Sequence, residues 1–308
     1  MAGLRGRDFS GICDLDVRET VAVLDLAAEL KARGRTGDRP VLLGGKVLAL
    51  LFEKPSLRTH ATFEVAMLHL GGQAIYLDAL GVGMGTRESY PDIARNLDRW
   101  VDGIVVRTFA HANVLTLAEH AHVPVINALS DWEHPCQALA TLLTIRERVG
   151  RLDGVRIAWI GDGNNVARSL LRGAVRLGAS VIVASPPAYG LDDRTLVDAR
   201  ASAAPGASVE VTDDPVRAVM GADLIYTDVW TSMGCEAEAE ARRRAFAGYQ
   251  INAALLAHAP RQALVSHCLP AHRGEEITDE VLDGPQSVAF DEAENRLHVQ
   301  KSLLAQAL

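Results

Sequence analysis

Short, continuous apolar runs alternate along this chain with longer stretches in which apolar residues recur every three or four positions. Val47, Leu48, Ala49, Leu50 and Leu51 form one such run, as expected for a strand buried on both faces. Across 61–70, Phe63, Ala66, Met67 and Leu70 keep helical spacing and Gly71-Gly72 supplies a stop. Runs at 103–106 and 123–129 predict two more strands. Residues 138–149 predict a helix, with Pro135 in its first turn and Ser130 or Asp131 available as a cap. The second half repeats the arrangement. A strand at 155–160 leads through Gly161-Asp162-Gly163-Asn164-Asn165 into a helix at 166–177 that Gly178 ends. Further strands are expected at 180–184, 208–211, 223–228 and 263–267, and an amphipathic helix runs to Leu308. Strands alternating with helices point to α/β architecture with parallel sheets.

Open parallel sheets bind ligands beyond the carboxyl ends of their strands, so the residues there carry the functional reading. After 47–51 comes F-E-K-P-S-L-R-T (52–59). It places Ser56, Arg58 and Thr59 where a strand hands over to a helix N-terminus, a position that favours an anion. Two hydroxyls and a guanidinium there can clamp a phosphate without a glycine-rich loop. The strand at 103–106 ends in Arg107-Thr108, and the strand at 123–129 ends in a loop carrying His134, Cys136 and Gln137. Three strand ends in one half of the chain thus converge on residues able to hold an oxyanion. Two loops in the second half stand out: Asp228-Val229-Trp230-Thr231-Ser232-Met233-Gly234 and His267-Cys268-Leu269-Pro270.

A length of 308 residues suits two domains. The net charge of −8 argues against nucleic acid or an anionic membrane as partner, so any anion must be held locally. No stretch reaches the roughly 18 apolar residues of a membrane span, and no secretory signal is visible behind Arg5 and Arg7. Cys13, Cys136, Cys235 and Cys268 show no C-x-x-C pairing, so a reduced cytoplasmic protein with neither disulfides nor a zinc site is expected. His134 with Cys136, or His267 with Cys268, lacks the further ligands a metal needs. Arg242-Arg243-Arg244, set beside several glutamates, reads as a solvated helix face. Gly161-Asp162-Gly163 opens like a dinucleotide fingerprint. The third glycine position is Val166, however, and the strand ending at Ala184-Ser185 offers no acidic residue for a ribose.

The segments F-E-K-P-S-L-R-T, V-R-T-F, H-P-C-Q, G-D-G-N-N, D-V-W-T-S-M-G, H-C-L-P-A-H-R-G-E-E and E-A-E-N-R, in this order, resemble the aspartate/ornithine carbamoyltransferase family over essentially the whole chain. The S-M-G loop with H-C-L-P is similar to the ornithine-selective members. The resemblance implies two Rossmann-like domains, each a parallel sheet flanked by helices, with the active site in the interdomain cleft. A carbamoyl-phosphate-binding domain would span 1–145, with the C-terminal helix 291–308 packing back on it, and an ornithine-binding domain would span 146–290. The implied reaction moves the carbamoyl group of carbamoyl phosphate to the δ-amine of L-ornithine, giving L-citrulline and phosphate, in arginine biosynthesis or, reversed, in arginine catabolism. The alternatives are another amine, such as putrescine or N-acetylornithine, or a catalytically silent paralogue; Arg58, Arg107, His134 and Cys268, whose loss would mark the latter, are present.

By the same resemblance, Ser56, Leu57, Arg58, Thr59, Arg107 and Arg296 would hold the phosphate side. Thr59, Arg107 and His134 would polarise the carbamoyl oxygen. Gln137 and the backbone carbonyl of Leu269 would hold the carbamoyl –NH2. Arg58, Arg107, His134 and Cys268 are the expected catalytic set, and Asn165, Asp228, Ser232 and Met233, beside Cys268, would read ornithine. No cofactor is implied. Leu57 stands where many members have threonine, leaving a backbone N–H to serve, and His60 replaces a common arginine. The loop 82–88, with Arg87 as candidate, would complete a neighbouring subunit's site in a homotrimer or a multiple of it.

Overall fold

The computed structural model describes residues 3–308, apart from Met233 and Cys235 and the side chains of Leu80 and Glu236. The chain divides into two compact units, one of residues 1–143 with 294–308 and the other of residues 144–293. Both boundaries fall inside continuous helices.

In the first unit α1 (Val17–Arg35), β1 (Val47–Phe52), α2 (Leu57–His69), β2 (Gln73–Asp78) and the single turn α3 (Ala79–Val82) come first. Then follow α4 (Tyr90–Leu97), β3 (Gly103–Arg107), α5 (His111–His120), β4 (Val125–Leu129) and the start of α6 (Pro135–Val149). The four strands form one parallel sheet in the order β2-β1-β3-β4. The predicted runs became the central strands for the expected reason. Leu48 to Leu51 and Ile104 to Val106 are all fully buried, because helices cover both faces. A break in register against β4 falls between Val106 and Arg107, where such irregularities re-aim a side chain. The edge strand β2 is different: Ile75 and Tyr76 remain exposed.

The second unit holds β5 (Arg156–Ile160), α7 (Asn165–Arg176), β6 (Ser180–Ala184), α8 (Asp193–Ser202), β7 (Val209–Thr212) and α9 (Pro215–Val219). It continues through β8 (Leu224–Thr227), α10 (Ala239–Ala245), α11 (Ala253–Leu256), β9 (Leu264–His267), α12 (Asp279–Leu282) and the start of α13 (Ala289–Ala307). Its five strands are also parallel, in the order β7-β6-β5-β8-β9. A core of Ile160, Ile225, Phe246, Ile251, Val265 and Ile277 packs on one side of this sheet. On both units the architecture is the expected one of parallel sheets flanked by helices.

At the β5–α7 turn the glycines are needed for space and conformation. Gly161 has φ +133°, open in practice only to glycine. A Cβ on Gly163 would run into the backbone at Gly190 and Leu191. Asn164 then caps α7, its Oδ1 accepting from Val166 N at 3.0 Å and Ala167 N at 3.1 Å. The G-x-G pattern is thus explained by packing and capping.

Candidate active site

In the first unit the site residues come from four chain segments. Ser56 caps α2, its Oγ accepting from Thr59 N at 3.2 Å. Leu57, Arg58 and Thr59 therefore occupy the first turn itself, whose amides have no acceptor within the helix. Leu57 turns its side chain to solvent, with 79% of it exposed, so only its backbone can serve the site. Thr59 is fully buried, and its Oγ1 accepts from two guanidinium groups. Arg296 Nη2, from α13, lies at 2.6 Å and Arg107 Nη1, from the end of β3, at 3.5 Å. His134 and Gln137 are also buried, at the start of α6.

The electrostatics of this cluster are strongly cationic. Burial first, and then Arg296, Arg107 and Arg58, push the His134 imidazole well below its ordinary value, so the ring is neutral at physiological pH. Cys136 is fully buried, and desolvation pushes its thiol up to about 12, which keeps it protonated and inert. A dianion is what three arginines, a helix N-terminus and a neutral N–H donor together would accommodate.

Glu53 braces this half and was not singled out among the site residues in F-E-K-P-S-L-R-T. Its carboxylate accepts from Thr108 Oγ1, from Phe109 N at 3.0 Å and from Tyr90 Oη at 2.8 Å. Its own N–H donates to Arg107 O at 2.8 Å. The turn that presents Arg107 is thereby tied to the end of β1. His60 stacks on Tyr76 with ring centroids 4.1 Å apart and sits 3.5 Å from Glu64. Arg87 is exposed on the loop before α4.

In the second unit Asp228, Cys268 and Asn164 meet. Asp228 Oδ1 accepts from Cys268 Sγ at 2.8 Å and from Val229 N at 2.8 Å, and its Oδ2 accepts from Asn164 Nδ2 at 2.7 Å. The predicted Asn165 is the neighbouring residue, half-buried at the first position of α7. Ser232 is half-buried beyond β8, and Met233 lies outside the described residues. Leu269 has φ +55°, the one left-handed non-glycine residue among those described, and its peptide bond to Pro270 is cis.

Arg242 corrects the reading of 242–244 as a solvated face. Arg243 and Arg244 are exposed, but only 11% of the Arg242 side chain is exposed. Arg242 Nη1 lies 3.2 Å from Asp162 Oδ2 and donates to Trp230 O at 2.9 Å, while its guanidinium covers the Tyr189 ring at 4.9 Å. One side chain so joins the β5–α7 turn to the loop after β8. Three adjacent arginines hid it, because i, i+1 and i+2 on a helix face different directions. Burial pushes the Asp162 carboxyl up to about 6, against the pull of Arg242.

Asp228, His267 and Cys268 offer metal-ligand atoms within 4.8 Å of one another. Both His267 nitrogens are already engaged, by Leu269 N at 2.8 Å and Glu276 Oε1 at 2.9 Å, so the imidazole has no lone pair to give an ion.

Two parallel-sheet units, one carrying buried arginines around Thr59 and His134 and the other a polar cluster around Asp228, define an α/β protein with a candidate anion site. The family's carbamoyl-P binding domain matches residues 7–147 and its Asp/Orn binding domain matches residues 153–307, so the chain belongs to the aspartate/ornithine carbamoyltransferase family. Similar proteins within that family include ornithine carbamoyltransferases. That of Acidothermus cellulolyticus is 56% identical over 302 residues, covering 97% of this chain and 96% of the relative. An anabolic one from Pyrococcus furiosus is 50% identical over 306 residues, covering 99% and 97%. The solved structure of the Pyrococcus furiosus enzyme superposes with a TM-score of 0.97 at 49% identity, covering 100% of this chain and 98% of that one.

Proposed function

We propose that this protein transfers the carbamoyl group of carbamoyl phosphate to the δ-amine of L-ornithine, releasing L-citrulline and phosphate. The observation that carries the reading is the convergence of Arg296 and Arg107 on Thr59 Oγ1, beside a His134 kept neutral by burial first and then by these arginines and Arg58. Arg58, Arg296 and the first-turn amides of α2 neutralise the phosphate. Arg107, Thr59 and the neutral His134 N–H donate to the carbamoyl oxygen as it gains charge, which is where preorganised donors act most strongly. Gln137 and the Leu269 carbonyl hold the carbamoyl –NH2. Asp228, Asn165, Ser232 and Met233 read the amino acid, with Asn164 and Cys268 fixing the Asp228 carboxylate. The free δ-amine attacks the carbamoyl carbon and forms the C–N bond. The C–O bond to phosphate then breaks, and the departing phosphate keeps that electron pair and accepts the amine proton.

The naming of the Pyrococcus relative as anabolic favours the biosynthetic direction. A cytoplasmic homotrimer suits this reading. The exposed apolar residues Ile75 and Tyr76 on the edge strand β2, with Leu68 on α2, offer a surface that a second copy would cover. No described helix is long and apolar enough to cross a membrane. The test is calorimetric titration of carbamoyl phosphate into the wild type and Arg296→Gln. Loss of most of the affinity is expected, and unchanged affinity would remove the clamp from the account.

A further inference from the structure

The H-C-L-P loop contains a buried polar relay with a single consistent proton arrangement. The Leu269 backbone N–H can only donate, and it points at His267 Nδ1 from 2.8 Å. That nitrogen must therefore carry the lone pair, and the ring proton sits on Nε2, 2.9 Å from Glu276 Oε1. Both side chains are fully buried. The same Glu276 oxygen accepts the His272 N–H at 2.6 Å, which anchors the far end of the loop. The residue held by this relay is the left-handed Leu269, a conformation unfavourable for a leucine. Such a residue persists where its surroundings over-determine it.

We propose that His267 and Glu276 are positioning residues for the transfer. Glu276 fixes the Nε2–H tautomer of His267, and the freed Nδ1 lone pair holds the Leu269 peptide in the orientation that presents its carbonyl. The adjacent Cys268 is kept on Asp228 by the same restraint. The proposal rests on the assignment of the Leu269 carbonyl to the carbamoyl –NH2, and it makes two residues outside the substrate shell responsible for that contact.

The two imidazole nitrogens can be replaced separately. His267→Asn places an amide oxygen near the position of Nδ1, where it can still accept from Leu269. His267→Gln reaches toward the Nε2 position, serving Glu276 and abandoning Leu269. Glu276→Leu removes the acceptor of the Nε2 proton, so the ring proton is free to move to Nδ1 and abandon the Leu269 N–H. His267→Gln and Glu276→Leu are expected to lower kcat by about 10²-fold, the scale on which small misplacements act, with His267→Asn retaining about tenfold more activity than His267→Gln. In protein labelled with 15N-histidine, the wild-type His267 signals, assigned by their absence from His267→Asn, should show a pyridine-like Nδ1. In Glu276→Leu that character should be shared between Nδ1 and Nε2. Equal losses in both His267 variants, or an unchanged tautomer and unchanged kcat in Glu276→Leu, would overturn the proposal. The tautomer is read without turnover, so a wild type that forms no citrulline would count against the proposed function and leave this relay to be judged on its spectra.

Discussion

A buried imidazole flanked by three guanidinium groups cannot hold a second proton at neutral pH, so in the proposed mechanism His134 acts as a neutral donor. His134→Gln keeps one N–H, and His134→Ala keeps none. Loss of a donor to a developing oxyanion costs about 10²–10³ in kcat, so steady-state assays should rank wild type, Gln and Ala in that order. Equal activity in the two variants would deny His134 the role. Asp162 allows a test with a defined sign. Its carboxyl moves from the ordinary 3.8 up to about 6 on folding. Between those values the folded chain holds a proton that the unfolded chain has released, so the group's stabilisation is full below about pH 4 and is lost as pH rises through about 6. Asp162→Asn lacks this dependence. The melting temperature of the wild type relative to the variant should therefore rise as pH falls from 7 to 5. A flat or falling difference would show that Asp162 is not buried against Arg242 as described. The single residues that sequence reasoning named were those set in motifs, such as Arg58, Arg107 and His134. Asn164 and Arg242 were overlooked because their partners, Asp228 and Asp162, are distant in the chain.

The proposed anion clamp would rest on the first turn of α2 as much as on its side chains. Leu57 is the first helical residue, where proline is well tolerated because its N–H has no partner in the helix. Ser56 already has the extended backbone that a following proline demands. Leu57→Ala removes an exposed side chain and should leave KM for carbamoyl phosphate within about twofold. Leu57→Pro deletes one backbone donor while keeping the helix. It should raise that KM by about 10- to 10²-fold, the scale of the roughly 1.5–3 kcal/mol a hydrogen bond to a charged group can supply. Two equally harmless substitutions would mean that the amide does not meet the phosphate. Legibility at this scale followed burial. Strands β1 and β3 announced themselves as unbroken apolar runs because both faces are covered. The edge strand β2 did not, since Gln73-Ala74-Ile75-Tyr76-Leu77-Asp78 is largely exposed and shows no clean alternation.

At the scale of the molecule, a chain of net charge −8 binds a dianion only where arginines are gathered by folding. Arg58, Arg107 and Arg296 come from α2, β3 and α13, and all three act on His134 although the sequence spreads them over most of its length. Resemblance made that gathering legible, where periodicity alone gave only the strand ends. The exposed β2 edge predicts self-association: light scattering should report three times the 33.1 kDa chain mass or a multiple of it, and an active monomer would refute the trimer. The central claim is tested most directly by the product formed from carbamoyl phosphate when ornithine, N-acetylornithine, putrescine, lysine and aspartate are offered in parallel to the purified protein. Citrulline from ornithine, with a kcat/KM well above that for every other amine, is the expected result. A higher kcat/KM for another acceptor, or no carbamoylation of any, would contradict the account.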